Sequence, residues 1–265
     1  MRRAHYSLTY SFKRRMSAVV GCLLLVLIMS GCKTVPVTGR KQLALVPPGE
    51  LQQLSSQQFQ QFMEEHKVSQ NQEKVTMVQE VGRDIQRAVE DYYAKQDMSE
   101  RLENFEWRFE LIESDQKNAF AMPGGKVVIY SGLLDVAQNQ AQLATVMAHE
   151  VAHVLARHGN ERMSQALLAN AGGIALSAAL SSEPARTRQL AMAAYGAGAT
   201  VGVLLPYSRT HEAEADRMGL IFMAKAGYDP REAVKFWEQM MKQKQGGQPP
   251  EFLSTHPSDV SRIKD

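Results

Sequence analysis

The segment His149-Glu150-Val151-Ala152-His153 constrains this chain more than any other feature. In an α-helix, with about 3.6 residues per turn, side chains four positions apart project from one face. The imidazoles of His149 and His153 can therefore converge on one metal ion, and such a pair suits zinc. Glu150 would lie beside the ion, where it could act as a general base toward water. The pattern predicts a zinc site that supports hydrolysis.

The residues around this motif are typical of one long helix. Residues 141–158 contain neither proline nor glycine, and their apolar residues recur at helical spacing. A pattern that fixes only three positions arises by chance in roughly one unrelated chain in a hundred, so the helical context matters. It favours a metal site over coincidence.

A third metal ligand is expected elsewhere, because catalytic zinc usually has three protein ligands and one open position. The segment His211–Asp216 is free of helix breakers and rich in carboxylates. Glu212 and Asp216 lie four residues apart on one helical face, whereas Glu214 points away from it. We predict that Glu212 binds zinc and that Asp216 accepts a hydrogen bond from a ligand imidazole, fixing its tautomer. Alone, these carboxylates would suit a solvated helix face.

These motifs resemble those of the gluzincin metallopeptidases, the family of the CAAX prenyl protease and the bacterial heat-shock protease HtpX. The resemblance covers about residues 75–265 and includes further segments: Asn118–Gly125, Lys126–Leu134, Tyr207–Arg209, Ser254–Ser258 and Arg262. Within the family, the chain is most similar to short bacterial lipoprotein members and to the mitochondrial protease whose activity overlaps the m-AAA protease. The resemblance implies an α+β fold, mainly helical with a small β-sheet, one zinc ion per subunit and endopeptidase activity.

The segment Asn118–Gly125 and the strand after it resemble the family's substrate-binding edge strand. Proteases commonly hold a substrate as an added strand, whose main-chain hydrogen bonds ignore side-chain identity. Such a strand would favour unfolded or extended polypeptides. The implied substrate contacts are five consecutive residues: Gly124, Gly125, Lys126, Val127 and Val128. An ordinary internal strand is the alternative.

Other histidines and two arginines need separate interpretation. The resemblance implies that His256 reaches zinc as a removable fourth ligand, or stabilises the oxyanion once substrate displaces it. A loop-capping histidine is the alternative. His158 and His211 each lie one position off the metal-facing side of their helices, so we predict surface positions for both. Arg209 and Arg262 could stabilise developing negative charge or pair with carboxylates near the site.

The N-terminus has the pattern of a secretory signal. Five basic residues precede an apolar run over residues 16–29, which is too short to span a bilayer comfortably. Met29–Cys32 resembles the bacterial lipobox, which implies cleavage after Gly31 and acylation of Cys32. Lys33, where aspartate would retain a lipoprotein in the inner membrane, implies the outer membrane, facing the periplasm. An uncleaved anchor helix is the alternative.

Composition is consistent with a periplasmic protein. Removal of residues 1–31 takes away five basic residues and no acidic ones, so the formal net charge changes from +2 to −3. Cys22 leaves with the signal, so no disulfide could form. No basic run with interleaved aromatic residues remains, which argues against nucleic acid as a partner.

We predict one catalytic domain on a tether. Residues 1–31 are the signal peptide, 32–50 a lipidated extended linker and 51–265 the peptidase domain. Because the chain ends at Asp265, we expect no tetratricopeptide-repeat domain after the peptidase.

Within the domain we expect helices over residues 51–65 and 75–89, followed by a half-buried strand over residues 105–111 next to Val127–Tyr130. For residues 166–205 we predict a helical hairpin that is either buried or apposed to a membrane. We do not expect it to span a bilayer, since each apolar run is shorter than the roughly twenty residues that a spanning helix needs.

The predicted function is cleavage of unfolded or misassembled proteins of the bacterial envelope by a zinc endopeptidase. The alternative is a client-holding chaperone or assembly factor that uses the same groove. Glu150 separates the two hypotheses, because a holding protein would not need a general base there. Nothing in the sequence specifies an oligomeric state.

Overall fold

The computed structural model describes residues 31–200, 205–244 and 250–256. The described residues form eight α-helices: Pro48–Glu65 (α1), Gln72–Ala94 (α2), Gln140–Leu155 (α3), His158–Ala179 (α4), Ala185–Ala199 (α5), Leu205–Lys225 (α6), Glu232–Lys244 (α7) and Glu251–Thr255 (α8). They also form five strands: Cys32–Thr34 (β1), Lys41–Leu43 (β2), Arg108–Ile112 (β3), Ala119–Met122 (β4) and Lys126–Tyr130 (β5). Two 3₁₀-helices span Ser99–Leu102 and Ser131–Asp135. This confirms a mainly helical α+β fold.

The predictions for residues 1–30 and for Arg262 lie outside the described residues.

A three-stranded sheet of order β3-β5-β4 forms the β part of the domain. β3 and β5 are parallel, with Phe109 opposite Val127, and β4 and β5 are antiparallel, with Phe120 opposite Val128. All five residues of β5 are buried. A continuous apolar run is typical of a strand that is covered on both faces.

The strand predicted to be the exposed edge is the centre of this sheet. Gly124 and Gly125 adopt φ values of +90° and +85° in the turn between β4 and β5, and their carbonyls accept hydrogen bonds from Glu106 and Arg108. β5 then pairs with a strand on each side. The prediction of an exposed edge over Gly124, Gly125, Lys126, Val127 and Val128 is therefore wrong. Among the described strands of this sheet, β4 and β3 are the edges.

Helix α2 packs against β3 through the apolar stripe that the sequence predicts. Its buried residues include Val78, Val81, Gly82 and Ile85. A Cβ atom on Gly82 would lie 2.3 Å from Cγ of Phe109, so only glycine allows this close approach. Helix α1 covers the other face of the sheet, where its residues join a second apolar cluster: Phe59, Ile112, Val128 and Tyr130.

Helix α3 lies at the centre of the domain and crosses α6 closely. A Cβ atom on Gly219 of α6 would lie 3.0 Å from the backbone nitrogen of His149. Helix α3 also packs against α2, α7 and β4. The helix that carries the predicted zinc motif is therefore surrounded by the rest of the fold.

The segment predicted as an extended linker is largely folded onto the domain. β1 and β2 pair as an antiparallel hairpin, here called the N-terminal hairpin (residues 32–43), and its Val35 is fully buried. The chain after it stays attached to α4, because the backbone nitrogen of Leu45 donates to Oγ of Ser164 at 2.8 Å. Burial of an apolar side chain and these hydrogen bonds explain why the segment is ordered.

Helices α4 and α5 form the predicted helical hairpin. The hydroxyl of Tyr195 donates to the carbonyl of Ala169 at 2.8 Å and joins the two helices. Ile174 and Leu190 are 71% and 65% exposed, so the alternative that this hairpin is buried is wrong. In the described ranges, we find no helix with the length and apolar character needed to cross a bilayer. Apposition to a membrane stays a prediction.

Candidate metal centre

Helix α3 brings His149 and His153 together, as their spacing predicts. The helix starts at the cap Asn139, whose side chain accepts a hydrogen bond from the nitrogen of Gln142, and it ends where Arg157 adopts a left-handed φ of 56°. Both imidazoles are buried, and their Nε2 atoms are 3.0 Å apart. They present two nitrogens to one point.

Helix α6 adds a carboxylate to this point. The Oε2 atom of Glu212 lies 3.4 Å from Nε2 of His149, and its Oε1 atom lies 3.4 Å from Nε2 of His153. Glu212 is itself buried. Its position matches that of the predicted third ligand.

The fourth member of the cluster is His256, which directly follows α8. Its Nδ1 atom lies 3.3 Å from Nε2 of His149 and 3.1 Å from Oε2 of Glu212. The ring is buried and stacks on Phe252 at a centroid distance of 4.6 Å. His256 is therefore inside the site and not only a cap on a surface loop.

The four side chains fit a tetrahedral zinc ion. With Zn–N and Zn–O bonds of about 2.0–2.1 Å, tetrahedral geometry separates the ligand atoms by roughly 3.3 Å. The five ligand-atom distances that include His149 or Glu212 are 3.0 to 3.4 Å, counting either oxygen of Glu212, and ligand atoms of all four residues lie within 4.8 Å of one another. Three imidazole nitrogens and one carboxylate oxygen also form a donor set that zinc prefers.

Asp216 lies where it can orient one of these imidazoles. Its Oδ1 atom is 2.9 Å from Nδ1 of His149. When Nδ1–H donates to this carboxylate, the lone pair of Nε2 faces the centre of the cluster.

Glu150 places its carboxylate at the edge of the same cluster. Its Oε1 atom is buried and accepts no hydrogen bond within the described part of the chain, although Nε2 of His256 is 3.3 Å away. A buried oxygen in this state is costly unless a ligand or water completes its bonds. The position suits a group that handles a proton.

Comparison with known proteins decides the family. The model of peptidase family M48 matches residues 79–265. The chain belongs to peptidase family M48. This confirms the resemblance to the gluzincin peptidases and the prediction of zinc, which the donor set fits.

Named relatives of this M48 chain include metalloendopeptidases from several organisms. It is 32% identical to the mitochondrial metalloendopeptidase OMA1 of Bos taurus, over 92% of this chain and 47% of that protein. It is 37% identical to OMA1 of Saccharomyces cerevisiae, over 62% of this chain and 47% of that protein. It is 35% identical to the beta-barrel assembly-enhancing protease of Escherichia coli, over 60% of this chain and 33% of that protein. The chain thus spans about half or less of the length of these relatives.

Sequence reasoning missed a second polar cluster beside the M48 site. His158 and His211 are 0% and 1% exposed, so the prediction of surface positions is wrong. The error arises because α3 ends at Leu155 and His158 begins a new helix, so the face of α3 does not extend to it. His211 lies on the side of α6 that contacts Glu161 of α4.

One sequence signal could have revealed this cluster. His158 and Glu161 are three residues apart, and so are His211 and Glu214, which places each pair on one side of its helix. The pairs bind crosswise, with His158 Nε2 2.9 Å from Glu214 and His211 Nε2 2.8 Å from Glu161. Glu214 does point away from the metal site, as predicted, but into this cluster and not into solvent.

Burial and hydrogen bonding set the protonation states that a metal site needs. Burial, together with the nearby His149, holds the pKa of His153 well below its ordinary value. Burial would raise the pKa of Glu212, but hydrogen bonds with His149 and His256 outweigh this and lower it. Burial also lowers the pKa of His158 to about 4. Neutral imidazoles beside an ionised carboxylate are the forms that bind zinc.

Proposed function

We propose that this protein is a zinc-dependent endopeptidase that cleaves unfolded or extended polypeptides. The observation that carries the proposal is the convergence of His149, His153 and Glu212 with Glu150 beside them in an M48 chain. A structural zinc site would need no buried carboxylate oxygen without a hydrogen bond at its edge.

Each side chain has one task in the proposed mechanism. His149, His153 and Glu212 would hold zinc, which supplies Lewis acidity when bound, polarising a peptide carbonyl and raising the acidity of water. Asp216 keeps His149 in the tautomer whose Nε2 faces the ion. Glu150 accepts a proton at its carboxylate as water attacks, and returns it to the departing amine.

His256 would close the site as a fourth ligand of the ion. Its Nδ1 atom occupies the fourth corner of the cluster, and its Nε2 atom faces the carboxylate of Glu150. A catalytic zinc site needs that corner for substrate or water. We propose that His256 is a removable ligand and that cleavage requires it to move.

Strand β4 is the proposed binding edge for the polypeptide. The nitrogen of Tyr130 donates to the carbonyl of Asn118 at 3.1 Å, which identifies Asn118 and Tyr130 as a hydrogen-bonded pair. Since such pairs alternate along an antiparallel ladder, the N–H and C=O groups of Ala121 point away from β5. β4 also packs against α3, which carries the zinc motif. A peptide added there would lie beside the catalytic helix.

We propose that the enzyme works in the bacterial envelope, anchored to the outer membrane through acylated Cys32 and facing the periplasm. The signal pattern and lipobox in the sequence support this location, and Cys32 is exposed at the start of β1. The related beta-barrel assembly-enhancing protease supports an envelope role, whereas the OMA1 relatives are mitochondrial. The proposed substrates are unfolded or misassembled envelope proteins.

The closed site also favours a second candidate function. A protein whose metal is capped by His256 could hold extended clients on β4 without cutting them. Such a client-holding chaperone would bind zinc and unfolded polypeptide but leave peptide bonds intact.

The Glu150→Gln variant tests the two functions against each other. Zinc content and casein cleavage are measured for the parent and for His256→Ala, each with and without Glu150→Gln. We expect Glu150→Gln to reduce cleavage by roughly 10²–10⁴-fold in both backgrounds, because it removes the general base, while zinc remains bound.

The control is Glu64→Gln, since Glu64 is an exposed residue of α1 far from the motif in sequence. Cleavage that survives Glu150→Gln would refute the mechanism. Zinc binding without cleavage by any variant would favour the client-holding function.

A further inference from the structure

A buried chain of hydrogen bonds joins His153 to the N-terminal hairpin. The Nδ1 atom of His153 lies 2.8 Å from Nδ1 of His158, and Nε2 of His158 lies 2.9 Å from Oε2 of Glu214. Glu214 is then bound by Thr38 and Arg40 of the hairpin. The chain crosses from α3 to α4 and α6 before it reaches the N-terminal segment.

When His153 binds a metal, only one arrangement of protons allows every hydrogen bond in this series to form. With Nε2 of His153 facing the ion, its Nδ1 carries the hydrogen and donates to Nδ1 of His158. His158 then carries its hydrogen on Nε2 and donates to the carboxylate of Glu214. Glu214 therefore orients His153 through an intervening imidazole, whereas Asp216 contacts His149 directly.

Together with Thr38, Arg40 holds Glu214 in place. Its Nε atom donates to Oε2 of Glu214 at 2.9 Å, and its Nη1 and Nη2 atoms donate to the two oxygens of Glu161 at 3.0 and 2.7 Å. The side chains of Glu161 and Glu214 are only 2% and 4% exposed, whereas that of Arg40 is 20% exposed. One guanidinium thus separates two buried carboxylates that would otherwise repel each other.

The charges of this cluster depend on the same contacts. Burial would raise the pKa of Glu214, but hydrogen bonds from His158, Arg40 and Thr38 lower it to about 2. Burial likewise opposes the charge on Arg40, yet its bonds to Glu161 and Glu214 outweigh it and raise the pKa of the guanidinium.

The backbone of the hairpin turn holds Arg40 in a fixed position on the domain. The nitrogen of Val35 donates to the carbonyl of Arg40 at 2.9 Å, and that of Gly39 donates to the carbonyl of Val35 at 3.0 Å. Gly39 adopts a φ of +73°, which other residues rarely tolerate. Val35, at the start of the turn, is fully buried, so the turn is fixed on the domain.

We propose that Arg40 is a positioning residue for the zinc ligand His153, acting through Glu214 and His158, and that the N-terminal hairpin is therefore part of the metal centre. The proposal rests on the proposed zinc site but not on proteolysis. The hairpin begins at the predicted lipid anchor, Cys32. The proposal therefore means that the segment beside this anchor contacts the side chains that help to retain the metal.

Zinc affinity of the full chain is the measurement that tests this proposal. Parent and variants are titrated against a chelator of known affinity, and the visible absorption of the cobalt-substituted protein reports the ligand geometry. We expect Arg40→Gln to weaken zinc binding about 10- to 100-fold and to change the cobalt spectrum, as loss of an indirect ligand partner does elsewhere. Arg40→Lys keeps the charge but not the fork of donors, so it should restore part of the affinity.

The matched control is Asn160→Ala. The Asn160 side chain also fastens the N-terminal segment, since its Nδ2 atom donates to the carbonyl of Val46 at 2.7 Å, but it does not belong to the chain that ends at His153. We expect this variant to lower the thermal stability of the zinc-free protein while zinc affinity and the cobalt spectrum stay as in the parent.

A double-mutant cycle separates the route through His158 from a general effect. If Arg40 acts through that imidazole, Arg40→Gln should cost little further zinc affinity in a His158→Asn background. Additive losses, or an Arg40→Gln variant that matches Asn160→Ala in affinity and spectrum, would overturn the proposal. Should Arg40→Gln fail to fold, Arg40→Lys and Glu214→Gln provide the same comparison. Absence of proteolysis in every form would not affect these readouts.

Discussion

The two histidines of the α3 motif are held by different partners. Asp216 contacts Nδ1 of His149 directly at 2.9 Å, whereas Nδ1 of His153 meets His158 at 2.8 Å. An imidazole is a weaker acceptor than a carboxylate, so the second ligand depends on the groups behind His158. The third ring of the cluster, His256, faces Glu150 and stacks on Phe252.

The residue-scale prediction concerns His256. Replacing it with alanine should increase casein cleavage by roughly tenfold or more, because apparent activity scales with the fraction of molecules whose site is open. Zinc should bind less tightly, since one ligand is removed. Casein cleavage and zinc affinity are measured together, with Ser254→Ala as the control at an exposed neighbouring position. Loss of cleavage with zinc retained would instead assign His256 the role of oxyanion stabiliser.

Strand order decides which element can receive a substrate. The apolar run of β5 is paired on both sides, so its backbone hydrogen bonds are already used. β4 has one free side within the described sheet, and it lies against α3. The helices, in contrast, position the metal site. Two His–Glu hydrogen bonds join α4 to α6, and these bonds fix the helices that carry His158 and Glu212 relative to each other.

The element-scale prediction concerns Ala121 of β4. Ala121→Pro removes the outward N–H group, which proline tolerates on an edge strand but not between paired strands. We expect kcat/KM for unfolded casein to fall roughly fivefold, as for the loss of one hydrogen bond of about 1 kcal/mol. Thermal stability and zinc content should stay close to those of Ala121→Ser, which keeps the N–H group. Unfolding of the proline variant would mean that this group is paired within the sheet.

The metal centre ties together parts of the chain that are far apart in sequence. Its four candidate ligands come from α3, α6 and the end of α8, and the cluster behind it adds α4 and the N-terminal hairpin. Without a cation, three imidazoles and a carboxylate are left close together in a buried site. The folded state of the whole domain should therefore be linked to metal binding.

The prediction at the scale of the whole molecule is a loss of stability on zinc removal. Zinc at about 1,000 times its Kd stabilises the folded state by about 4 kcal/mol. For a domain of this size we expect chelation to lower the Tm by roughly 10 °C, measured by circular dichroism. His149→Ala lacks one of the proposed zinc ligands and so binds zinc less tightly, and it should show a smaller change with chelator. An unchanged Tm in the parent would contradict this linkage.

The sequence alone determined the features that depend on local periodicity. The spacing of His149 and His153, and of Glu212 and Asp216, predicts shared helical faces, and the structure brings all four side chains to one place. The stripe of α2 and the family assignment over residues 79–265 were also predictable. Helix geometry is set by residues within a few positions of each other, so such patterns can be read directly.

Only the tertiary structure decided the rest. It placed β5 in the centre of the sheet, left β4 as the edge within the segment compared with a substrate-binding strand, and brought His256 into the cluster. It also joined Arg40 to Glu161 and Glu214, which are 121 and 174 positions away in the chain. Strand order and long-range ion pairs depend on how separate elements pack, and no local pattern contains that information.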